Sequence, residues 1–139
     1  MRNLCIVLFS SILLYACAGS KDVQLGSVNQ EPCRDQADVS EKNVFTGESV
    51  ENLNVFQQGS AVYASMDVRT ECNSNVAFDM ERNDDQIKLK IRNASSNAEC
   101  VCIKKVTTSI ANLEEGDYKV TVTNAANQLL AQGQISVKQ

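Results

Sequence analysis

The sequence predicts an all-β protein, a sandwich of antiparallel strands, behind a short apolar leader and a polar tether. Three observations carry this. Apolar side chains recur at every second position in several separate runs, as half-buried strands require. Turn-forming residues divide the runs, among them Arg82-Asn83-Asp84-Asp85 and Asn124 to Gln128. No stretch carries the 3.6-residue apolar stripe of an amphipathic helix.

The leader comes first. Arg2 precedes an apolar run from Leu4 to Tyr15. A charged start, a short apolar stretch and a small residue before the cut describe a secretory signal. The run falls short of the ~20 apolar residues that a transmembrane helix needs. It ends in Leu14-Tyr15-Ala16-Cys17, which resembles the lipobox of bacterial lipoproteins. The resemblance implies a signal peptide over residues 1–16 and a diacylglycerol on the Cys17 thiol. It also implies a fatty acid, palmitate among the candidates, on the new amine. Two or three acyl chains hold a protein on a membrane where one is marginal, because each buried methylene adds about 0.8 kcal/mol. The expected location is the bacterial cell envelope, lipid-anchored. Ala18 rather than aspartate at the next position favours the outer membrane.

Composition then excludes much. The 139 residues carry a formal charge of −4, with no histidine and no tryptophan. Without histidine the Ser-His and Cys-His nucleophile arrangements and the ordinary zinc hydrolase sites fall away. No basic block is present, so neither nucleic acid nor an anionic membrane surface is an expected partner. The aromatic residues after the leader, Phe45, Phe56, Tyr63, Phe78 and Tyr118, are assigned mostly to the core, which leaves few rings to stack on sugars or bases.

Beyond Cys5 and Cys17 the chain has Cys33, Cys72, Cys100 and Cys102. An even number in an exported domain reads as two disulfides, with three connectivities open. Cys100 and Cys102 point to the same face of a strand, and a bond between them would need a strained loop. Each is therefore expected to pair outward, with Cys33 and Cys72. A zinc site is the lesser reading, since structural zinc favours C-x2-C knuckles. A redox pair at Cys100 and Cys102 has only Lys104 and Lys105 near enough to depress a thiol pKa.

The elements follow in order. Residues 17–43 are polar and unpatterned, hold the only proline, Pro32, and read as the lipidated N-terminus and a tether; if Cys33 bonds to the domain, only the segment before it is free and the rest lies along the surface. The sandwich is assigned to residues 44–139. Val62 to Val68 form one strand. Val76, Phe78 and Met80 alternate with charged neighbours, as do Ile87, Leu89 and Ile91. A turn centred on Asn83-Asp84 sets Met80 opposite Ile87, Phe78 opposite Leu89 and Asp79 opposite Lys88. A second turn, on Ala125-Ala126, sets Val122 opposite Leu129 and Tyr118 opposite Gly133, where the missing side chain leaves room for the ring. Val101 and Ile103 follow one parity and Val106 and Ile110 the other, which predicts a bulge near Lys104-Lys105. The expected core is Val76, Phe78, Met80, Ile87, Leu89, Ile91, Val101, Ile103, Tyr118, Val120, Val122, Leu129, Ile135 and Val137.

Leu113-Glu114-Glu115-Gly116-Asp117-Tyr118 resembles the tyrosine corner of immunoglobulin-like and fibronectin type III sandwiches, with Glu115 where those carry proline. The resemblance implies a hydrogen bond from the tyrosine hydroxyl to backbone a few residues upstream. Together with the lipobox, Cys72 and Glu99-Cys100-Val101-Cys102-Ile103, it gives the chain a likeness to small β-sandwich lipoproteins of Bacteroidota with a C-x-C element.

The residues imply no catalytic centre, cofactor or metal. Asp79, Glu81 and Asp84 read as cross-strand or turn acids, and Glu114, Glu115 and Asp117 lack the D-x-D-x-D-G order of a calcium loop. The expected function is a non-catalytic, membrane-anchored binding or accessory module, with another envelope protein as partner. The alternative is a lipid-held inhibitor of an exported protease, presenting Cys72 to Asn75 or Asn93 to Glu99 as a rigid loop; a thiol-disulfide protein using Cys100 and Cys102 comes third.

Overall fold

The computed structural model describes residues 22–39, 46–92 and 99–139. Among these residues nine strands are present: β1 (Gln24–Gln30), β2 (Arg34–Asp38), β3 (Ser49–Gln58), β4 (Ala61–Glu71), β5 (Phe78–Asn83), β6 (Gln86–Ile91), β7 (Cys100–Ala111), β8 (Gly116–Thr123) and β9 (Leu129–Val137). They form two sheets, one in the order β1-β7-β4-β3 with β2 also on β7, the other in the order β5-β6-β8-β9. Among the described residues there is no helix. The all-β, two-sheet architecture agrees with the sequence.

The longest strand, β7, has 12 residues and organises the first sheet. One flank pairs without interruption with β4, from Val62 opposite Ile110 to Glu71 opposite Val101. The other flank is long enough for two partners. β1 covers its second half, from Gln24 opposite Ala111 to Gln30 opposite Val106. β2 covers its first, with Arg34 opposite Ile103 and Asp38 opposite Cys100. Gln24–Gln30 and Arg34–Asp38 are therefore strands of the sheet, which corrects the tether reading for them. Where β1 lies against β7, a Cβ on Gly26 would stand 2.0 Å from Ser109 Oγ, so a side chain there would force Ser109 aside.

In the second sheet β6 and β8 run parallel, Ile87 beside Val120 and Leu89 beside Val122. The intervening β7 lies in the facing sheet and runs back, so its neighbours in sequence must point the same way. The sandwich is thus not antiparallel throughout.

Even-numbered side chains of β4 (Val62, Ala64, Met66, Val68) and β7 (Val106, Ile110) face odd-numbered ones of β6 and even-numbered ones of β8 across the core. Of the expected core, Val76, Phe78, Ile87, Leu89, Ile91, Tyr118, Val120, Val122 and Val137 are in it, together with Val50 and Leu113. Met80 and Ile135 pack at its margin. Leu129 is 55% exposed, which removes it. Val101 is buried outside the central cluster and Ile103 is only half-buried. The bulge predicted at Lys104-Lys105 is absent against β4: the inward parity runs unbroken through Cys102, Lys104, Val106, Thr108 and Ile110.

Both hairpins sit two residues from the predicted register. Phe78 faces Ile91, Met80 faces Leu89, and Asp79 faces Lys90 rather than Lys88. The turn is Asp84-Asp85, with Asp84 at φ 52, a left-handed position that a short polar side chain tolerates. The two-residue slide keeps every side chain on its predicted face and adds Arg82–Ile87 and Asn83–Gln86 to the ladder. At the C-terminus Tyr118 faces Ile135 and Val120 faces Gly133. There the loop is longer because Asn124 organises it. Its Oδ1 accepts from the Ala126 and Gln128 amides at 3.0 and 2.9 Å, and Asn127 takes φ 62. Gly133 makes room for β3, not for the tyrosine: a Cβ on it would lie 3.0 Å from Val55 Cγ2.

Met66→Ala and Leu89→Ala, one from each inner face, are each expected to cost about 2–5 kcal/mol of stability in denaturant unfolding. A loss no larger than that of a substitution at the exposed Gln132 would contradict this packing.

Candidate functional site

Glu71, Cys72 and Cys100, where β4 ends and β7 begins, share one end of the first sheet with Cys33, which sits just before β2. Cys33 bonds Cys102 and Cys72 bonds Cys100, each with Cα atoms 5.5 Å apart. The expectation that Cys100 and Cys102 bond different partners holds. The two bridges lie against each other. The sulfurs of Cys33, Cys72 and Cys102 are within 4.8 Å of one another, and Cys33 Sγ is 3.4 Å from the Cys72 carbonyl oxygen. A sulfur held in a disulfide is not a thiolate, so this grouping offers no zinc ligand while the bridges stand.

Beside the bridges the turn after β4 is held at several points. The Ser74 amide donates to the Glu71 carbonyl at 3.2 Å, and the Ser74 hydroxyl shares a hydrogen bond with Thr70 at 2.9 Å. Lys104, only 7% exposed, donates its ammonium to the Ser74 carbonyl. This answers the need for a partner that a buried lysine has. The Gln30 side chain meets the Val76 peptide on both sides, accepting from its N–H at 3.0 Å and donating to its C=O at 3.1 Å. Cys72 to Asn75 is therefore a tight, pinned turn with Asn73 and Asn75 exposed at its rim. A shallow cleft of about 400 Å³ opens alongside, between Pro32, Cys33, Gln36, Cys72 and Asn75. Of the other candidate loop, residues 93–98 lie outside the described residues, and so does Cys17.

The outer face of the first sheet is the second polar surface. Asp67 accepts from Arg34 Nη2 at 2.7 Å and from Asn52 Nδ2 at 2.9 Å. Phe56 and Tyr63 stack across β3 and β4 with centroids 5.5 Å apart, both half-buried and outside the core. This corrects their assignment to the interior; Phe78 and Tyr118 are buried as expected, and Phe45 is outside the described residues.

Three further acids have side-chain partners in the structure, whereas Glu71 Oε1 is buried without a hydrogen bond among the described residues. Glu81 pairs with Lys88 and Asp79 with Arg92, the latter at 2.5 Å, where the predicted partner of Asp79 was Lys88. The hydrogen bond from Arg92 holds the Asp79 carboxyl below its ordinary value, with smaller help from the charges of Arg92 and Lys90. Asp117 accepts from the Ser136 hydroxyl. The Glu114 carbonyl accepts from the Tyr118 hydroxyl at 3.1 Å, four residues upstream, as the tyrosine-corner resemblance implies. Asparagines hold turns and bulges: Asn52, Asn112 and Asn127 all take positive φ, from 54 to 64°.

Compared with family models, curated proteins and solved structures, the chain matches none. No helix among the described residues is long and apolar enough to cross a membrane.

Peptide mapping without reduction is expected to recover Cys33–Cys102 and Cys72–Cys100; a Cys100–Cys102 peptide would contradict the arrangement. Replacing Cys33 and Cys102 together by serine should cost roughly 2–5 kcal/mol.

The Asp79 carboxyl titrates lower in the folded protein than in the unfolded chain. Its contribution to stability is therefore present above the unfolded value and lost as pH falls through the folded one. Thermal melts of Arg92→Ala should show a shallower loss of stability below about pH 4 than the parent does. Because the pair is exposed, the difference should shrink in high salt.

Proposed function

We propose that the chain is a non-catalytic lipoprotein of the bacterial envelope, a lipid-anchored β-sandwich that serves as a binding or accessory module for another envelope protein. The observation that carries this reading is the pair of disulfides. Two bridges in so small a domain are a feature of exported proteins, and reducing cytoplasm would not maintain them. Export is what the leader before Cys17 would bring about, and Leu14 to Cys17 supplies the processing and acylation motif.

The Tyr118 hydroxyl bond to Glu114 supports placing the sandwich among the immunoglobulin-like and fibronectin type III folds. The parallel β6–β8 pair departs from an all-antiparallel arrangement. A module role is further supported by what the polar side chains do. Asp67, Asp79, Glu81 and Asp117 pair with arginine, lysine or serine, and Cys33, Cys72, Cys100 and Cys102 are bridged. The exposed amides of Gln36 and Asn75 line the shallow cleft and, with exposed Asn73 on the adjoining turn, form the face on which a protein partner would be read.

Expression of Cys17→Ser in a bacterial host should abolish incorporation of an alkyne fatty acid and leave unprocessed precursor. Unchanged labelling and membrane partitioning in that variant would sink the lipoprotein reading.

A further inference from the structure

The lipid-anchored reading leaves open how the domain stands on the membrane, and the strand registers bear on this. Asp22 is already fixed to the sandwich, because Asn112 Nδ2 donates to its carbonyl at 3.0 Å and Gln24 pairs with Ala111. Only five peptide units separate it from Cys17, and they span at most about 18 Å. The long tether expected from the sequence is therefore cut to a short leash.

The end to which that leash is tied is well defined. Gln24, Ala111 and the turn joining Gln58 to Ala61 lie together at one end of the first sheet. The connection from β7 to β8 and the Asp84-Asp85 turn belong to the same end, since the Lys119 amide donates to the Asp85 carbonyl at 2.9 Å. The opposite end carries both disulfides and the start of β9. A 12-residue strand such as β7 separates the two by about 40 Å.

Nothing on the flanks favours lying flat. Among the described residues the one large apolar side chain left exposed is Leu129, and it sits at the far end. An interfacial element holds to lipid through buried apolar area, which the flanks lack. The leashed end is acidic: Asp22, Asp84, Asp85, Glu114, Glu115 and Asp117 are all exposed there, against Arg82, Lys119 and Lys138. Anionic headgroups repel that end at contact, and screening within about 8 Å makes the repulsion harmless across the leash.

We infer that the end bearing Asp22, Ser60 and Asn112 faces the lipid bilayer at close range, and that the two-disulfide end points away from it and is the end open to a partner. This rests on acylation of Cys17. The chain contains no tryptophan, so single tryptophans report position cleanly. Ser60→Trp places one in the β3–β4 turn and Asn73→Trp one in the turn beside Cys72, both at exposed sites. The lipidated full-length variants are placed in phosphatidylethanolamine–phosphatidylglycerol vesicles whose headgroups carry dansyl. Energy transfer from Ser60→Trp is expected to exceed that from Asn73→Trp severalfold. Equal transfer, or the reverse order, in protein that carries the alkyne fatty acid overturns the orientation alone. Protein without fatty acid and without vesicle binding overturns the lipoprotein reading and the orientation with it.

Discussion

One constraint shapes this molecule: a single strand, β7, must satisfy hydrogen bonds on both flanks while burying alternate side chains over its whole length. β4 takes one flank and two N-terminal strands divide the other. The inward row includes Cys102 and Lys104 as well as apolar residues. Those two end a stripe continued by Val106, Thr108 and Ile110, and each is accommodated by a bond made there: a disulfide to Cys33 and a hydrogen bond to Ser74. The first sheet is complete only with the N-terminal segment folded back onto β7. Its order along the chain therefore differs from its order in space.

Where the two sheets meet at their edges, side-chain amides do what backbone cannot. Gln30 pairs with the Val76 peptide on one side of the sandwich, and Gln57 pairs with Lys138 on the other, accepting from its amide at 3.0 Å and donating to its carbonyl at 2.6 Å. A glutamine amide carries the same donor and acceptor as a peptide, so each contact ties an edge strand of the first sheet to the chain just before β5 or just after β9 in the second. These bonds fix the relative placement of the sheets, and with it the shape of the cleft at the disulfide end.

The sequence disclosed the faces of the strands better than their alignment. Alternation tells inside from outside, and a hairpin slid by two residues preserves it, so both registers shift by two with the paired faces kept; Leu129, beside the irregularity between Val122 and Thr123, leaves the inner face. The N-terminal strands escaped notice for a different reason. Arg34–Asp38 is exposed at every position, and Gln24–Gln30 is interrupted by a bulge after Leu25, so neither shows a period. In β7 the apolar pair Val101 and Ile103 drew the eye to the wrong parity. Extending the Val106–Ile110 pattern backwards would have placed Lys104 inside. The same-face geometry of Cys100 and Cys102 was legible because it depends only on spacing. The paired glutamines left no trace in the pattern, since a glutamine in a strand reads as a solvated side chain whether or not it bridges.

The Cys33–Cys102 bond has a mechanical meaning. Any pull on the N-terminal segment, such as drag on an anchored domain, loads Asp22 first and then the rungs joining β1 to β7. Those rungs can open one after another, releasing slack as they go. The opening ends at Cys33, where the load passes through a covalent bond into the central strand and from there, through the adjacent Cys72–Cys100 bridge, into β4. Eleven peptide units separate Asp22 from Cys33, so the domain can pay out at most about 40 Å of chain before that stop. It would behave as a sprung mooring with a hard stop.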